Sequence, residues 1–303
     1  MNKFKKVALF MAMFMTMVLP FSASADYEPN WGEFGASLEM YNSNFDFDTT
    51  NIISGQEVKT NHSTETDLWN LALQYKHQGN YGFARLWYKK AIDGDYELTF
   101  KQSGISGCGN VCGSTDTDYW QMGGEVLWRV PVNKLDGKLF MGGRFTHSEM
   151  DTGSYNTGDL NSSDGLDQTF VSAVVNYQIQ RDRWVFDFNA GLGIGEVNYK
   201  TFGQDSEVPN ISESLGVDVD GYRLDLEAGA RYELARGVSI RGYVGYAEIF
   251  DSSVSSTYNA SIIPNIKSSA GGIDSSEVFV GGMMYFNFHD LTDQTKDLYP
   301  KAH

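Results

Sequence analysis

The stretch YRLDLEAGARYEL, residues 222–234, places Tyr222, Leu224, Leu226, Ala228, Ala230, Tyr232 and Leu234 on one parity. The other parity holds Arg223, Asp225, Glu227, Gly229, Arg231 and Glu233. Successive side chains of a β-strand point to opposite faces, so this segment has one greasy face and one ionic face. A helical period of 3.6 residues would scatter both sets around the axis.

The same alternation recurs on both sides of it. Trp69, Leu71, Leu73 and Tyr75 alternate with Asn70, Ala72 and Gln74. Trp120, Met122, Gly124, Val126, Trp128 and Val130 form a second row, and Leu139, Met141, Gly143 and Phe145 a third. Val171, Ala173, Val175, Tyr177 and Ile179 continue the pattern, as do Trp184, Phe186, Phe188, Ala190, Leu192 and Ile194. Residues 238–246 and 278–288 repeat it, while 31–47 and 81–90 follow it less cleanly. The reading is ten strands, with eight or twelve as alternatives, because residues 95–101 could form a separate hairpin or extend the third strand upward.

The connectors alternate in length. Short ones lie near 78–80, 133–137, 180–183 and 235–237; long ones span 48–67, 91–118, 151–168, 203–221 and 251–276. Short turns at one end and long loops at the other are the pattern of outer-membrane barrels. The expected fold class is therefore all-β: a single transmembrane antiparallel up-and-down β-barrel.

A soluble sandwich also alternates, but its apolar face points into a core. Three features favour lipid instead. Aromatic pairs bracket the apolar rows (Trp69 with Tyr75, Trp120 with Trp128, Tyr222 with Tyr232), as two interfacial girdles would. The last strand ends at Phe286 and Phe288, similar to the aromatic-ended strand that barrel-assembly machinery recognises. Finally, residues 1–25 read as an export signal: Lys3, Lys5 and Lys6 precede an apolar run from Val7 to Leu19, and Ala23-Ser24-Ala25 offers a small-x-small cleavage site. That run is short for a helical membrane anchor, which needs about 20 residues. The domain reading is signal peptide 1–25, barrel 26–288 and a periplasmic tail 289–303. The expected location is the outer membrane, with the bilayer, lipopolysaccharide and the assembly machinery as partners.

The chain has 303 residues, 23 Lys+Arg and 39 Asp+Glu. The leader holds three lysines and no acid, so the remainder carries 20 bases against 39 acids, a net charge of −19. That excludes the basic footprint of a nucleic-acid binder. The five long connectors hold 20 of the acids against only Lys59, Lys101 and Lys267. Such charge can serve solubility, or carboxylates can bridge calcium; no loop has an EF-hand pattern, and no other cofactor or metal is indicated.

Turning each ionic parity inward lines the lumen with Arg85, Lys89, Arg129, Arg144, Arg223, Arg231 and Arg241. Facing them are Glu33, Glu39, Glu125, Asp187, Asp225, Glu227, Glu233 and Glu277. Eight strands enclose an interior just filled by side chains, whereas open porins use 16–18. A ten-stranded barrel is thus expected to hold a paired polar core, with an ion-selective constriction as the alternative. Cys108 and Cys112, among glycines in a long loop, suit a small disulfide after export.

In length and architecture the chain resembles small Gram-negative outer-membrane barrels, omptin-like or OmpA-like. The omptin resemblance rests on no specific motif. It implies a protease whose cleft atop the strands uses acidic residues and an Asp–His pair to activate water. Asp116 and Asp118 supply two carboxylates near the rim, but the fourth long connector, with Asp218 and Asp220, has no histidine. His147, just above the fifth strand, is the only histidine placed near that rim, and His62 lies in the first long connector. Barrel phospholipases and palmitoyltransferases are similar only in being barrels. The functional expectation is a small pore or structural barrel rather than an enzyme, with a surface adhesin as the alternative and an omptin-like protease as a distant third.

Overall fold

The computed structural model describes residues 32–53, 56–79, 81–102, 113–132, 136–157, 160–205, 212–260 and 267–287. The leader, the C-terminal tail and both cysteines, Cys108 and Cys112, lie outside the described residues. The described chain is β-structure: β1 Glu33–Ile53, β2 Gln56–Gln78, β3 Gly82–Gln102, β4 Gly113–Val130, β5 Lys138–Thr152, β6 Tyr155–Thr157, β7 Leu160–Arg181, β8 Trp184–Asp205, β9 Ser212–Ala235, β10 Val238–Ala260 and β11 Lys267–Asn287. Neighbours pair antiparallel in chain order, except that β5 pairs with β7 past the three-residue β6. Pairing of β1 with β11 closes the sheet into a ten-stranded cylinder. Among the described residues closure leaves no long edge unpaired, as a sheet in hydrocarbon requires.

Turn chemistry fixes the short end. Asp182, at φ 52°, starts the tight turn from β7 to β8, and Gly237, at φ 79°, completes the one from β9 to β10. Asp is among the few residues that tolerate this region, and Gly enters it freely.

The strands are about twice the 9–11 residues that cross a bilayer, and β8 shows what the extra length does. From Trp184 to Ile194 its outward residues are Trp184, Phe186, Phe188, Ala190, Leu192 and Ile194, and its inward residues include Asp187 and Asn189. Above Ile194 the outward residues become Glu196, Asn198 and Lys200, while Val197 and Tyr199 are buried inside. β9 makes the same exchange: Asp218 and Asp220 face out and Leu215, Val217 and Val219 face in. β1 repeats it with Asn44 and Asp48 outside and Phe45 and Phe47 inside.

The cylinder therefore has two tiers. The lower tier is inside-out, with an apolar belt outside and ions within; the upper tier has the polarity of a soluble barrel. Aromatics mark both borders of the belt. Trp184 lies 4.8 Å from Tyr232, and Phe34 4.9 Å from Tyr75, at the short-turn end. Trp69, Tyr222 and the Tyr88–Trp120 pair (6.4 Å) mark the upper border.

This corrects the expectation of long loops. Most of 48–67, 91–118, 151–168, 203–221 and 251–276 is strand. Residues 95–101 extend β3 upward, as one of the two sequence readings had it. A register shift between Lys90 and Asp95 adds the residue that turns Tyr96 inward after Lys89 and Ala91.

Candidate functional site

The interior of the lower tier is a chain of ions that crosses the lumen. Glu125 on β4, fully buried, accepts a hydrogen bond from Arg144 Nε at 3.0 Å and forms ion-pair contacts with Arg85 Nε and Arg144 Nη2, each at 2.9 Å. Arg85 approaches Glu227 on β9 at 3.9 Å, and Glu227 accepts from Arg241 Nη2 at 2.6 Å. Arg241 also grips Asp187 on β8 through Nε and Nη2. The chain thus links β5, β4 and β3 to β9, β10 and β8. A Cβ at Gly229 would stand 2.4 Å from the Arg241 guanidinium, so that glycine gives the arginine its room.

Two further groups stand beside it. Arg223 holds Glu277 with two bonds, 2.6 and 3.0 Å, and Asp225 at 2.8 Å. Lys89 donates to both oxygens of Glu39 at 2.8 Å, and Tyr243 Oη adds a third bond at 3.0 Å. At the short-turn end Arg231 makes a bidentate pair with Glu33. Bidentate, charge-assisted bonds are the strong ones, and a buried charge is tolerable only when held this way.

Arg85, Glu125, Arg144, Arg223, Asp225, Glu227, Arg231 and Arg241 thus lie in these groups. Arg129 and Glu233 do not; both are exposed at the short-turn rim, because the strands end there and their parity no longer faces an enclosed space.

Below the ionic chain the lumen opens into a polar vestibule of about 380 Å³, lined by Gln74, Lys76, Asn176 and Gln178 among others. At the chain itself the space shrinks to about 70 Å³. Above it the described residues place an apolar core in the lumen. Tyr41, Phe45, Phe47, Leu68, Tyr96, Tyr119, Met150, Leu166, Phe170, Val197, Tyr199, Leu215, Val217, Val219 and Ile249 form one buried cluster fed by β1–β5 and β7–β10. Tyr41 stacks on Tyr119 across 5.3 Å. Sequence reading missed this core, although Phe45 with Phe47 and Val217 with Val219 signalled it by holding the parity opposite to the belt.

The candidate catalytic groups are dispersed. Asp116 and Asp118 face outward on β4, and Asp118 pairs with Lys90 at 3.4 Å. His62 points inward, stacked on Phe47 at 4.5 Å; burial pulls its imidazole down to about 4, against the opposing charge of Asp48. His147 lies on the outer wall of β5 beside Glu149, Asp167 and Thr169.

No family model matches the chain, and no curated protein matches it by sequence. Solved structures do match. The outer membrane protease OmpT from Escherichia coli superposes with a TM-score of 0.62 at 8% identity, covering 88% of this chain and all of that one. The fold is that of an outer-membrane β-barrel. OprG from Pseudomonas aeruginosa (TM-score 0.34, 13% identity, 84% of this chain and 96% of that one) is a remoter match. So is the translocator domain of the autotransporter NalP from Neisseria meningitidis (0.34, 14%, 91% and 96%). At these identities the likeness speaks for the fold alone.

Proposed function

We propose that this chain is exported to the outer membrane and serves there as a non-conducting structural barrel, its upper tier standing out from the cell surface. Short turns would face the periplasm and the acidic upper wall the exterior. The observation that supports this reading is the occupied interior of the described residues: an ionic chain across the lumen with a buried apolar cluster above it. A water-filled path would have to break both. Reconstituted in planar bilayers, the mature protein should add no stable single-channel conductance at moderate voltage. A large, steady conductance would overturn the reading in favour of a pore.

A second reading, a surface-binding barrel, draws support from the upper wall. Asp48, Glu65, Asp67, Asp95, Glu97, Asp116, Asp118, Asp218 and Asp220 are exposed there on rigid strands rather than on loops. Binding of cells displaying the protein to host matrix, lost when the upper tier is trimmed, would separate presentation from a purely structural role. Proteolysis of the kind OmpT performs has weaker support, since Asp116, Asp118 and His147 lie on the outside of the wall. Cleavage of a basic peptide library would revive it.

A further inference from the structure

Just above the apolar belt, the outer wall carries a group of side chains that the ionic lumen and the surface reading leave unused. His147 on β5, Glu149 two residues along the same strand and face, and Asp167 opposite it on β7 bring three ligand atoms within 4.8 Å of one another. His147 Nε2 lies 3.5 Å from Glu149 Oε1, and Nδ1 lies 3.6 Å from Asp167 Oδ1.

We propose that His147, Glu149 and Asp167 form a binding site for a zinc-class divalent transition-metal ion on the outer wall of the barrel. Donors bound tetrahedrally at 2.0–2.2 Å lie about 3.4 Å apart. The Nε2–Glu149 spacing of 3.5 Å matches that figure, and the carboxylate of Asp167 lies within 4.8 Å of the other two donors.

The imidazole is also held as a ligand should be. Its Nδ1 is 2.9 Å from Thr169 Oγ1, so an Nδ1–H donated to that hydroxyl leaves the Nε2 lone pair facing Glu149. Trp120 packs edge-on against the ring at 5.2 Å, and His147 is only 6% exposed although it sits on the outside of the cylinder.

Ligand type decides the metal class. An all-carboxylate site would suit calcium or magnesium, whereas imidazole favours zinc and its neighbours in the transition series. Three protein ligands leave a fourth position open to water. At the upper border of the belt that position could also take a lipid phosphate oxygen.

The site does not depend on the non-conducting reading of the lumen. The test uses the untagged, full-length mature barrel, folded in detergent micelles and stripped with chelator. Titration with zinc chloride should show one saturable site per chain. Cobalt chloride should give visible absorption bands of a low-coordinate ion and quench part of the tryptophan emission through Trp120.

His147→Gln should abolish both signals, and the isosteric Glu149→Gln and Asp167→Asn should each weaken zinc binding at least tenfold. Thr169→Val, which removes only the group orienting the ring, should weaken it about tenfold. Heat-modified gel mobility checks that each variant is folded. Absence of a one-to-one site in the folded wild type would overturn the proposal. So would binding that survives His147→Gln, or calcium competing with zinc at equal concentration.

Discussion

Glu125 has no exposed surface and holds two guanidinium groups. Replacing it by Ala removes the carboxylate that holds Arg144 and leaves Arg85, among the described residues, only Glu227 at 3.9 Å, and breaking a buried pair from one side costs about 3–5 kcal/mol. Urea unfolding of Glu125→Ala in lipid vesicles should show a loss of that size. A change under about 1 kcal/mol would mean that the lumen is wet enough to screen both arginines.

His62 gives a pH effect of known sign. Its native imidazole titrates near 4, and its ordinary value is 6.5. Between those two values only the opened chain takes the proton, so the upper tier loses stability as pH falls from about 6.5 towards 4. Amide exchange at Phe47 and Thr49, which pair with or neighbour His62 across β1 and β2, should speed up at pH 5 relative to intrinsic rates at pH 7. His62→Phe should remove that difference.

At the scale of the strand, β8 offers a comparison within one face. Leu192 and Asn198 both point outward, six residues apart, one in the belt and one above it. Arg on the lipid face near mid-depth costs about 2–4 kcal/mol, falling towards zero at the interface. Leu192→Arg should therefore destabilise folding into liposomes by that amount, and Asn198→Arg should be nearly silent. Equal effects would contradict the border drawn between Ile194 and Glu196.

The same strand explains what sequence could and could not supply. Trp184 to Ile194 was legible because all its large apolar residues but Val185 share a parity, and the rest of the opposite parity is Asp, Asn or Gly. The upper half alternates just as regularly, but Val197 and Tyr199 have moved to the other face, so a search for a row of fixed parity stops at the border and reports a loop. In β3 the added residue near Asp93 hid Tyr96 in the same way. Ion pairing was harder still. Parity shows that Arg241 and Asp187 face inward, but which arginine meets which carboxylate depends on stagger around a closed cylinder.

At the scale of the whole molecule, the two tiers divide the work of one cylinder. The lower tier meets hydrocarbon with Leu, Val, Phe and Ile and keeps its charges paired inside; the upper tier meets water with Asp, Glu and Asn and keeps Phe, Tyr and Val inside. Ten strands are few enough that side chains take up much of both interiors, leaving a vestibule of about 380 Å³ at the short-turn end. The exchange of faces also explains why a chain with a net charge of −16 and a mean hydropathy of −0.34 can be a membrane protein. Its belt is only half of each strand, and only one face of that half.

That exchange can be mapped directly by spin labels placed one at a time at Phe188, Leu192, Ile194, Asn198 and Lys200 in a Cys108→Ser, Cys112→Ser background, folded in vesicles. Labels at the first three positions should collide with oxygen and be shielded from a water-soluble nickel reagent. Those at the last two should show the reverse, with the crossover between Ile194 and Asn198. Free access of the nickel reagent along the whole row would contradict the account.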